Sequence, residues 1–224
     1  MRQAEKVDLG SDDWTMEIRP YASAFHFPIK ELWEYRDLLF LFVRRDFKTM
    51  YKQTILGPAW ILLSPLLTTG MFSLIFGRIA GISTDGTPAF LFYMAGNILW
   101  NYFSSCLSAA SSTFIGNAGL FGKVYFPRIV VPASSAVSKL ITFGAQFLLF
   151  LILLFCSLGS GQVRITWLCL MTPVLLVMLA LLAIGTGMIL ASLTAKYRDL
   201  QVLVGFGIQL WMYASPIVYP LSQI

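Results

Sequence analysis

The 224-residue chain is 57% hydrophobic and 12% charged, with a mean hydropathy of +0.73. A soluble domain carries about a quarter charged residues, so this composition argues against a soluble enzyme or binding module. Residues 1–56 balance nine Lys/Arg against nine Asp/Glu, while residues 57–224 hold seven against two, so the whole net charge of +5 belongs to the apolar part.

The basic residues stand at the ends of apolar runs, not in a stripe interleaved with aromatics. They read as topology determinants, and no nucleic-acid partner is expected. Residues 1–28 have mixed charge and little periodicity, and are expected to be an N-terminal cytoplasmic tail without a readable role. They contain no apolar run, so insertion is expected to be driven by the first span.

From Ile29 the pattern becomes helical, and residues 29–56 are expected to form an amphipathic interface helix. Lys30, Glu34, Asp37, Arg44, Lys48 and Lys52 recur at three- and four-residue steps on one side. Ile29, Leu32, Trp33, Leu39, Phe40, Val43 and Phe47 take the other. A basic-rich polar face opposite a bulky apolar one suits the membrane interface. At Gly57-Pro58 the sequence turns apolar, and residues 57–224 read as a transmembrane domain.

Five spans are expected, at about 57–77, 90–114, 129–158, 167–195 and 200–219, each with at least the roughly 20 residues that cross a hydrocarbon core of about 30 Å, the third unusually long. Pro65 should disturb the first. The second is polar for a span, with Asn97, Asn101 and serines at 104, 105, 108, 111 and 112. They serve either helix–helix packing or a water-filled path. Lys139 falls roughly three turns into the third, from where it can snorkel towards the nearer interface. Sorting charges by alternate loops puts Arg44, Arg45, Lys48, Lys52, Lys123, Arg128, Lys196 and Arg198 on one side, with Lys139 close by. Only Arg78 and Arg164 fall on the other, so the N-terminus is expected in the cytoplasm. Tyr93, Trp167 and Tyr219 would then lie near the outer interface.

No catalytic constellation emerges. His26 is the one histidine, Cys106, Cys156 and Cys169 share no metal spacing, and no phosphate loop of the Lys-Ser/Thr type occurs. No cofactor and no metal site are expected. Intramembrane acids of the kind that proton-coupled transporters use are also missing, so any transport must draw its energy from a partner.

Three stretches carry a family resemblance: LLFLFVRRDFKTMYKQTILGPAWILLSPLL, FGKVYFPRIVVP, and AKYRDL followed by QLWMYASPIVYP. Over about residues 38–224 the chain resembles the membrane permease of polysaccharide-exporting ABC transporters, which move O-antigen, capsule or teichoic-acid chains. The resemblance implies an all-α membrane fold in the bacterial cytoplasmic (inner) membrane. It implies a homodimer with two cytoplasmic ATP-binding subunits, hydrolysis in those subunits, and a lipid-linked polysaccharide entering from the cytoplasmic leaflet.

On that resemblance Arg44, Arg45, Lys48 and Lys52 stand where a pyrophosphate headgroup would arrive. They serve it, or only topology and anionic membrane lipids, or both. Asn97, Trp100, Asn101, Tyr102, Trp211 and Tyr213 are candidates for the glycan path, packing being the competing role. Residues 117–128, with Lys123, Tyr125 and Arg128, occupy the place of the segment that couples to the ATPase. The family has six spans, so the resemblance also implies a version truncated before the sixth. A drug or small-molecule exporter of the same class, and a membrane-embedded glycan-processing enzyme, remain the alternatives.

Overall fold

A computed structural model describes residues 29–51, 56–158 and 170–220. Among them the secondary structure is helical, without strands. The amphipathic segment forms two helices, α1 (Ile29–Glu34) and α2 (Arg36–Tyr51), separated only at Tyr35. The Leu39 amide bonds the Tyr35 carbonyl at 3.0 Å across the break, so the helical path is nearly continuous.

The first span is α3 (Ala59–Phe72), which passes without interruption into a π-helical stretch, Ser73–Ile79. Then come α4 (Ala89–Ser111), two single-turn helices α5 (Thr113–Gly116) and α6 (Ala118–Phe121), and the long α7 (Val130–Leu158). The chain closes with α8 (Thr172–Lys196) and α9 (Leu200–Ala214).

Three of these, Ala59–Ile79, α7 and α8, are long and apolar enough to cross a membrane, with mean hydropathies of 1.7, 2.3 and 2.7. Their outer surfaces are predominantly apolar, as Leu67, Met71, Leu148, Ile152, Phe155, Val177 and Met178 illustrate, with Arg78 and Lys196 exposed only at helix ends. In water such a surface would exceed the apolar patches that monomers tolerate; against lipid it costs nothing.

Helix α4 explains its own polarity. At 23 residues it is about 35 Å long, sufficient to cross. It packs against α3, α7, α8 and α9, and its Met94, Ile98, Phe103, Cys106 and Leu107 form the centre of the bundle. Because protein and not lipid surrounds it, its serines need no lipid-compatible surface. They bond back to their own helix: Ser111 Oγ donates to the Ser108 carbonyl at 2.9 Å, Ser112 Oγ to the same oxygen at 3.0 Å. Tyr93, expected near the outer interface, lies one turn after the start of α4 and is fully buried against protein, edge-on to Phe72 and Phe92.

Close contact between α4 and α8 depends on small residues one turn apart. Ala183, Gly187 and Ala191 are all buried, and a Cβ added at Gly187 would overlap Ala110. Thr194 Oγ1, one turn further, donates to the Ser111 carbonyl at 2.8 Å. This is small-residue packing closed by an interhelical hydrogen bond.

Helix α9 is shorter than its apolar run of 200–219. Ser215 is extended (φ −92°, ψ 147°) ahead of Pro216, which disfavours helix in the residue before it. The chain turns there and Ile217 seats against Gly96 of α4, where an added Cβ would lie 3.0 Å from its Cγ2.

Candidate functional site

The sequence-predicted site residues fall into three places. The basic group belongs to α2. The inward side of α2 carries Leu38, Leu39, Phe42 and Val43; Phe42 clusters with Phe126, Val130 and Val131. The interface helix is therefore docked on the start of α7 as well as being amphipathic. Trp33, Phe40 and Phe47, which share the expected apolar side, point outwards and are 71%, 62% and 38% exposed.

Arg44 and Lys48 lie one turn apart on the outward face, exposed and without an ion-pair partner among the described residues. Arg45 is engaged: its guanidinium bonds Asp46 at 2.8 Å and lies 4.8 Å over the Phe42 ring. Lys52 falls outside the described residues. The three described cations are thus not equivalent, and among them Arg44 and Lys48 are the pair most available to an anion.

The six glycan-path candidates do not line one cavity. Asn97 is 4% exposed, with its amide nitrogen unpartnered. Tyr102 is buried edge-on to Phe143, ring centroids 5.6 Å apart. Trp100 and Trp211 meet through Phe103, at 5.5 and 5.3 Å. Tyr213 is exposed on α9. Trp211 borders a cavity of about 300 Å³ between α4, α8 and α9, while Asn101 and Tyr102 border a different one of about 260 Å³ between α3, α4 and α7.

Sequence reasoning missed what that cavity is built on. Proline at 65 has no N–H, so the Ile61 carbonyl loses its partner one turn on. Gln146 of α7 supplies a replacement: its Nε2 donates to Ile61 O at 3.2 Å. Both residues were visible in the chain, but the pair is separated by 85 positions and no local signal links them.

The third place is the segment after α6. Phe126 is buried, its ring 5.8 Å from Phe42 and 5.4 Å from Phe121, and so pegs the segment to α2. Just before the peg, Lys123, Val124 and Tyr125 are exposed together. Arg128, also exposed, lies 5.8 Å from the Phe114 ring. Apolar and basic side chains held outwards by a buried anchor make a docking edge, not a reaction site. No group of three or more His, Cys, Asp or Glu side chains converges among the described residues.

Helices with lipid-grade surfaces around a protein-enclosed central helix define a multi-pass α-helical membrane protein. A family model described as ABC-2 type transporter matches residues 37–224. The O-antigen export system permease protein RfbA of Myxococcus xanthus is 32% identical over 196 residues, covering 88% of this chain and 73% of that protein. Two O-antigen export system permease proteins RfbA of Klebsiella pneumoniae are each 28% identical, over 188 and 190 residues, covering 84% of this chain and 71% of theirs. The chain belongs to the ABC-2 type transporter family.

Proposed function

We propose that the chain is the membrane permease subunit of an ATP-driven exporter that carries a lipid-linked polysaccharide, of the O-antigen kind, across the bacterial inner membrane. The observation that carries this reading is the similarity, over 84–88% of the chain, to permeases named for O-antigen export. The ATP-binding subunits, in two copies, are its partners for energy, and a second copy of the chain completes the pathway. The N-terminus lies in the cytoplasm, since the basic residues of α2, the segment at 123–128 and Lys196–Arg198 fall on one side.

Within this reading residues 29–56 form the interface element and 57–224 the permease domain. Arg44 and Lys48, with Arg45 and Lys52 beside them, attract the pyrophosphate of the lipid carrier. Lys123, Tyr125 and Arg128 form the edge that the ATPase grips. Trp211 and Tyr213, both partly open on α9, offer rings to passing sugars, while Asn97 and Tyr102 serve packing.

The test is reconstitution of the permease with its ATP-binding subunit in proteoliposomes containing a polyprenyl-diphosphate-linked O-polysaccharide. ATP-dependent transfer of glycan to the opposite leaflet is expected, and Lys123→Glu with Arg128→Glu should abolish it by releasing the ATPase. ATP-driven movement of small amphiphiles with no glycan transfer would overturn the polysaccharide assignment.

A further inference from the structure

Lys139 is the one cation set inside a long apolar helix that no role above absorbs. It belongs to α7, nine residues after Val130, which is about 13 Å along the axis. It has no hydrogen-bond or ion-pair partner among the described residues. An ammonium at this depth is costly unless something answers its charge.

What surrounds it is a largely apolar cleft with several polar side chains set in its wall. The α3–α4–α7 cavity of about 260 Å³ places Lys139 beside Asn101, Ser105, Thr142 and Gln146, with Trp60 at the α3 start. No carboxylate among the described residues borders it. Lys139 also borders a second cavity of about 320 Å³ towards α2, with Ser138 and Asp46. There the Ser138 Oγ is buried and unpartnered, and the Asp46 carboxylate is already held by Arg45 at 2.8 Å. Lys139 borders both cavities, and side chains on a helix lean towards its N-terminus, here the end of α7 on which α2 docks. Water takes about 30 Å³ in the liquid, so the larger spaces admit an anionic group with its waters.

One cation, several hydroxyl and amide donors and no free acid select an anion. The apolar outer surface of the neighbouring Leu140 and Ile141 selects one attached to a hydrocarbon chain. We propose that the cleft centred on Lys139 binds the phosphate of a lipid headgroup, with the lipid's chains lying along the outer face of α7. Trp60, 46% exposed, is the kind of amphipathic ring that sits at headgroup level. The site is separate from the α2 cations; a membrane phospholipid there is independent of the exported cargo, whereas a prenyl diphosphate there rests on the proposed function.

Two sources share this chemistry, an anionic membrane phospholipid and the prenyl diphosphate of a carrier lipid. Native mass spectrometry of the purified full-length permease in detergent, titrated separately with phosphatidylglycerol, phosphatidylcholine of the same acyl chains and undecaprenyl diphosphate, distinguishes them. The unmodified protein should retain phosphatidylglycerol or undecaprenyl diphosphate at least fivefold better than phosphatidylcholine, and the better of the two names the source. Lys139→Gln should lower that preference at least threefold, the α2 cations keeping the remainder, and Lys139→Arg should restore it, while Lys196→Gln at the end of α8 leaves it intact. If Lys139→Gln yields no folded protein, the Ser105→Ala, Thr142→Val double variant is read instead, with at least a threefold loss expected. A preference unchanged by the substitution that is read, or equal retention of phosphatidylcholine, overturns the proposal.

Discussion

At the scale of single residues, the membrane changes what a hydrogen bond is worth. A proline in the first span would ordinarily leave a carbonyl with neither partner nor water. Here Gln146 answers it, and a polar side chain in the third span becomes the complement of a defect in the first. The dependence is testable because it is mutual. Gln146→Leu alone should lower stability by about 1–3 kcal/mol, the cost of orphaning a buried acceptor. In a Pro65→Ala background, where the restored N–H reaches Ile61 O, the same change should cost about 1 kcal/mol less, read as a coupling term in a double-mutant cycle of thermal unfolding in detergent. Equal costs in both backgrounds would mean that Gln146 acts on something other than the proline. Both residues were legible in the sequence. Their pairing was not, because a proline announces where a helix is weakened but not which distant side chain repairs it.

At the scale of elements, periodicity located helices well and assigned their faces poorly. The third span, expected at 129–158, is observed at 130–158, because an unbroken apolar run has few ways to end. The amphipathic segment was harder. Its apolar residues occupy two sides, and period alone cannot tell a side that meets protein from one that meets lipid. Phe42 and Val43 went to the bundle, while Trp33 and Phe40 stayed outside. The deciding contact comes from Phe126, in a segment whose sequence shows no regular pattern. That peg joins the interface helix to the exposed edge at 123–125 as one mechanical unit. Phe126→Ala should therefore cost about 3 kcal/mol of local packing and reduce ATP-dependent export severalfold while the ATP-binding subunit still co-purifies. Full export in the variant would show that α2 and the 123–128 segment work independently. The four-residue stripe of Ala183, Gly187 and Ala191 was likewise hidden, since small residues in an apolar run add nothing to its hydropathy.

At the scale of the whole molecule, the depth of each chain turn follows from helix lengths. Helix α9 begins beside the α4 end that carries Ser111, since Leu107, Thr194 and Leu200 border one cavity. Its 15 residues rise about 22 Å, less than the roughly 30 Å of a hydrocarbon core. Along α4, the distance from Ser111 back to Gly96 is also about 22 Å at the same rise per residue, and Gly96 is where Ile217 seats. The two lengths agree, so the turn at 215–218 ends inside the protein, about 10 Å short of the α4 start. Irregular backbone at membrane depth is tolerated only when protein encloses it; Val218, 4% exposed, meets that condition at the end of the turn, while Pro216 before it is exposed. Single cysteines placed at Asp85, Lys123 and Val218, in a chain with the native cysteines replaced by alanine, test the arrangement with a membrane-impermeant maleimide on intact cells. On the proposed topology the polar loop at 80–88 faces outwards, so Asp85→Cys should label at once. On the same topology the basic side stays in the cytoplasm, so Lys123→Cys should label only after permeabilisation. Val218→Cys should resist labelling in both conditions until the protein is unfolded. Rapid external labelling at position 218 would place the turn at the membrane surface and require α9 to tilt away from α4; labelling of Lys123→Cys before permeabilisation would invert the whole topology.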